Sequence, residues 1–112
     1  MKSLLLIAVF SVAAFAQHVA TLTWADGVNP PGVIYSVYRA PGACILPVPA
    51  SPAFTQIAAA IAVLNYSDST IGTGAYCYAV SATVGGIESV KSNYAQAQVL
   101  PSAPTGLTVV VK

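Results

Sequence analysis

The stretch GAYCYAVSATV, residues 74–84, alternates without a break, so that Tyr76, Tyr78, Val80 and Ala82 fall on one face of an extended chain and Cys77 on the other. A period of two held this long dictates a β-strand, and the Gly85-Gly86 pair that follows is a turn signal. The same rhythm recurs in VATLTW, which puts Ala20, Leu22 and Trp24 on one face and Val19, Thr21 and Thr23 on the other. It recurs again in VIYSVYRA, where Tyr35 and Val37 share a face, and a last run, SNYAQAQVL, follows the glycine turn. Between the runs lie chain breakers: DGVNPPG, and then PGACILPVPASP, whose four prolines forbid a central strand. AFTQIAAAIAVLNYSDST is ambiguous, because its alanine run, 58–62, suits a helix while its flanks are β-like and no cap is present. It reads as two short strands, near 54–58 and 63–67. About six short strands separated by turns, with no amphipathic helix, predict a small antiparallel β-sandwich.

Charge narrows the function classes. Only 6% of the 112 residues are charged and the net charge is +1, which leaves no electrostatic footprint for nucleic acid or for an anionic membrane. Hydrophobic residues make up 56%, partly because of MKSLLLIAVFSVAAFAQ, where Lys2 precedes an apolar stretch and Ala14 and Ala16 flank Phe15. This is the pattern of a signal peptide cut after Ala16, and its apolar core is shorter than the ~20 residues a membrane span needs. The expected product is secreted, extracellular or periplasmic, and holds no membrane once the signal is cleaved. In such an oxidising compartment Cys44 and Cys77 are expected to pair as a disulfide.

The motifs ATLTW, YSVYRA, AYCYAVSATVGGIESVKSN and PSAPTGLTVVV together resemble fibronectin type III domains, particularly those of secreted bacterial proteins. The resemblance implies an immunoglobulin-like β-sandwich in which Trp24 lies in the second strand under the core, Tyr35 and Val37 in the third, and Tyr76 opens the sixth at a tyrosine corner. It also implies that the strands before Cys44 and around Cys77 are neighbours, so that a bridge between them is geometrically reasonable. The chain then divides into a signal peptide (1–16), a fibronectin type III-like domain (17–100) and a proline-led strand or tail (101–112). One departure stands out. The first strand of the family's domains is missing in front of VATLTW and its pattern turns up at the other end, as PSAPTGLTVVV, with Leu107, Val109 and Val111 as candidates for strand exchange.

Candidate chemistry is sparse. The two cysteines and one histidine, His18, are too few for a structural zinc site, and no cofactor motif is present. Asp26, Asp68 and Glu88 sit in or beside turns, where carboxylates cap backbone N–H groups, and the serines lack a nucleophile elbow. The sequon Asn65-Tyr66-Ser67 reads as coincidence, since Tyr66 belongs to the expected core. Most aromatic residues fall on inward faces; Tyr38 and Tyr94 are the exceptions, and the candidates for surface contacts. The sequence therefore points to a non-catalytic module with a structural, adhesive or protein-interaction role, associating with a protein partner or with itself through its C-terminal strand. A module that binds extracellular polysaccharide is one alternative, and a piece of a longer tandem-domain protein is another.

Overall fold

A computed structural model of the chain describes residues 18–44 and 53–112; the expected signal peptide lies outside them. Seven strands follow in order: β1 (Ala20–Thr23), β2 (Ile34–Pro41), β3 (Thr55–Ile61), β4 (Asn65–Asp68), β5 (Gly74–Val84), β6 (Ile87–Glu88) and β7 (Ala95–Val99). β1 and β4 form a two-stranded antiparallel sheet. The other strands form a second antiparallel sheet in the order β3-β2-β5, with β6 and β7 both on the far edge of β5. The two sheets pack face to face, which is the expected small β-sandwich.

Alternation explains which residues are inside. Tyr35 and Val37 of β2 meet Tyr78 and Val80 of β5 in the buried centre, and Leu22, Trp24 and Tyr66 of the small sheet close over them. On the opposite face of β5, Cys77 is fully buried under a disulfide to Cys44, with a Cα–Cα distance of 4.9 Å. The pairing expected from the compartment is present, and the Cys44 N–H also donates to Gln96 Oε1 at 3.0 Å. Gly85 (φ 58°) and Gly86 (φ 80°) form a two-residue hairpin turn that needs positive φ at both positions, and it returns the chain as β6.

β3 departs from the expected pair of strands. The alanine run is continuous strand to Ile61, and the second strand starts at Asn65 rather than Val63. Its register against β2 slips twice, since Val37 faces Ala58 while Tyr38 faces Gln56 and Tyr35 faces Ile61. Each slip is a bulge, and the first places an extra residue, Ile57, so that Ile57 and its neighbour Ala58 both pack on the core instead of facing opposite sides. Ala60 (φ 56°) lies within the second slip and is the one non-glycine residue with positive φ among those described.

Candidate functional site

Among the described residues two clusters of polar side chains link different strands, and both fasten the fold. Asp68, 2% exposed at the end of β4, accepts from Arg39 Nη1 at 2.7 Å, from the Tyr78 hydroxyl at 2.7 Å, and from the Thr70 hydroxyl and backbone N–H at 2.7 and 3.0 Å. Burial alone would raise its pKa, but the bonds from Thr70, Tyr78 and Arg39 outweigh it and hold the carboxyl at about 2. Since Asp68 belongs to the small sheet while Arg39 and Tyr78 belong to the large one, this network staples the two layers together. Its role as a turn cap, expected from sequence, is retained only in the Thr70 contacts. The signal that was there to find is Arg39, which alternation places on the inward face after Tyr35 and Val37, where a charge requires a partner.

The second cluster lies on the other face of the large sheet. Tyr38 donates to the Glu88 carboxylate, which also accepts from Ser81 at 2.5 Å. The Lys91 amine stands 4.3 Å above the Tyr38 ring, and Tyr94 packs edge-on to Phe54 at 5.1 Å. Tyr38 and Tyr94 are both half-buried by these neighbours.

A third feature is different, because its polar and apolar groups lack partners. A groove of about 570 Å³ opens between β1 and β7, with residues 20–25 on one wall, Ala95, Gln96 and Ala97 on the other, and Tyr78 and Val80 among the residues lining it. Leu22 and Trp24 are half-buried rather than buried, since this side of the sandwich is uncovered. The Trp24 ring packs edge-on to Tyr35 at 5.5 Å, and its indole N–H, although enclosed, meets no acceptor among the described residues.

Backbone groups on the groove wall are also open. β1 pairs with β4 alone among the described residues, and the Trp24 N–H donates to Leu64 O at 3.1 Å. By alternation Ala20, Leu22 and Trp24 turn their backbone groups toward β4, while those of Thr21 and Thr23 face outward with nothing to pair them. Among the described residues no charged side chain lines the groove. The candidate exchange residues of the tail occupy no strand and are 89% (Leu107), 78% (Val109) and 88% (Val111) exposed.

Among the described residues no three His, Cys, Asp or Glu side chains gather as they would around a metal ion. No protein-family model matches the chain, and no curated protein matches its sequence.

Proposed function

We propose that this chain is an exported, non-catalytic β-sandwich of the fibronectin type III kind that binds proteins by accepting an extended segment along β1. The observation that carries the reading is the open backbone edge at Thr21 and Thr23 beside an uncharged, uncovered part of the core. An incoming strand would pair those N–H and C=O groups and set alternate side chains against Leu22 and Trp24, which is the physics of β-strand addition. Each Val or Leu so buried contributes roughly 1.5–3 kcal/mol before the cost of ordering the segment.

Other features support the wider reading. The Gly72 N–H donates to the Tyr76 hydroxyl at 3.0 Å, a tyrosine anchoring the loop before its own strand as in a tyrosine corner. The Cys44–Cys77 bridge suits an oxidising compartment. The polysaccharide alternative would need open aromatic faces, and Lys91 occupies the Tyr38 ring while Tyr94 leans on Phe54.

The test is fluorescence of Trp24, the chain's one tryptophan, in a variant lacking residues 105–112, titrated with short peptides of alternating Val and Thr. Saturable binding of such peptides is expected. Absence of any peptide binding, with retardation of the protein in gels containing soluble glycans, would replace this reading with the carbohydrate one.

A further inference from the structure

Given a strand acceptor at β1, we infer that its occupant is the tail of a second copy of this chain, running antiparallel to β1 with Leu107 over Trp24, Val109 over Leu22 and Val111 over Ala20. The inference rests on the strand-addition reading and adds to it the partner, the direction and the register.

Every strand pair in the domain is antiparallel, and for a strand added to β1 in that direction the donor follows from where the chain leaves the domain. The end of β7 lies beside the start of β5, since Val99 faces Gly74. His18, Val19 and Ala20 share a shallow depression with Gln98, Val99 and Leu100, so β1 starts where β7 ends. The tail therefore emerges at the Ala20 end of the groove, whereas a strand antiparallel to β1 must enter at the Trp24 end. To reach that entrance the chain's own tail would have to run back past Ala20 to Trp24, ~14 Å at strand spacing, and then reverse its direction before it could begin to pair. Its linker, residues 101–104 with Pro101 and Pro104, spans at most about 14 Å and is used up by that distance, so the whole reversal would fall on Thr105 and Gly106 before Leu107. A neighbouring molecule set end to end presents its tail at the Trp24 entrance directly.

Register follows from the open backbone groups. If Leu107, Val109 and Val111 face inward, they lie opposite Trp24, Leu22 and Ala20, the residues of β1 and its end that pack on the core. Thr108 then falls opposite Thr23 and Val110 opposite Thr21, the two positions whose N–H and C=O point outward. Among the alignments that keep the apolar tail residues inward, this one sets all three of them against all three core-packed residues, Ala20, Leu22 and Trp24. Neither partner carries a charge in the contact, since residues 101–111 contain none and the groove has none. A head-to-tail contact of this kind leaves one groove and one tail open at the ends of every assembly, so it grows into a filament unless it bends into a ring.

The experiment compares the full chain as cleaved, from Gln17 to Lys112, with the variant lacking residues 105–112 and with Thr23→Pro, by light scattering over a concentration series. Proline at Thr23 blocks an outward N–H while leaving the bonds to β4 intact, so the variant is expected to keep its fold. The full chain should form assemblies that grow with concentration, and both variants should remain monomeric. A free peptide of residues 105–112 should bind the truncated variant one to one and change Trp24 fluorescence, and a Val109→Lys peptide should bind at least tenfold more weakly. In the double variant Thr21→Cys, Val110→Cys, oxidation should produce a ladder of linked multimers. A monomeric full chain, or a cross-link confined within single molecules, would overturn the inference. If alternating Val-Thr peptides bind while the tail peptide does not, the self-partner fails and the strand-acceptor reading survives; if no peptide binds, both fall.

Discussion

Asp26, Asp68 and Glu88, the three acids of the chain, each accept a hydrogen bond from a tyrosine: Tyr35, Tyr78 and Tyr38 respectively. Only Asp68 is buried, so its protonation has the largest consequence for the fold. Its pKa falls from 3.8 to about 2 on folding, so the stability it adds is complete above pH ~4 and is lost as pH falls toward about 2. The loss amounts to roughly 2 kcal/mol, readable from denaturant midpoints at pH 7, 4 and 2. Asp68→Asn should cost ~2–3 kcal/mol at pH 7, the low end for breaking a buried pair because Arg39 keeps 26% of its side chain in solvent, and should flatten that acid slope. An unchanged slope in the variant would assign the titration to another group. On the alkaline side the sign reverses. Burial and the Asp68 carboxylate raise the Tyr78 phenol, so its contribution is held below pH ~10 and lost above it, and Tyr78→Phe should remove that alkaline loss.

At the level of elements, β3 holds a conformational cost that one substitution should relieve. Ala60 sits at φ 56° on an exposed bulge, where an L-residue is strained and glycine is not. Ala60→Gly is expected to raise stability by about 0.5–1 kcal/mol in urea unfolding, against the usual direction for a strand interior; a loss would show that the bulge relaxes in solution. The bulges also mark where sequence reading ran out. β2 and β5 were legible because their own alternation, Tyr35-Val37 and Tyr76 through Ala82, encodes which side is in. The alanine run carries no such code, and its extra residues are set by how Val37 and Tyr38 meet β3 across the sheet, a tertiary matter. β6 escaped notice because two residues are too few to show a period, although the glycine pair before it was plain. Of the candidate site, the tail's alternating Leu107, Val109 and Val111 could be read directly, and so could Ala20, Leu22 and Trp24. The groove between β1 and β7 could not, since it exists only through the spacing of two sheets.

For the whole molecule, the disulfide matters more than its single bond suggests. It closes a span of 33 residues, and the double variant Cys44→Ala, Cys77→Ala should lose about 3–4 kcal/mol, a large share of what a domain of this size possesses. Trp24→Ala should cost only ~2–3 kcal/mol in the isolated domain, less than a buried indole would, because the open groove already leaves the ring half uncovered. A cost above 5 kcal/mol in chemical denaturation would mean that the groove is closed in solution. The bridge also determines what the domain does under tension. A pull on the tail enters through β7 along its length, and ladder bonds perpendicular to the strands share that load instead of parting one at a time. It then passes into β5, where Cys77 ties the strand covalently to the loop after β2. With the bridge intact, the segment between the cysteines, at a sequence separation of 33, cannot be drawn out, and a reductant should release about 110 Å of additional contour length in a single-molecule extension record.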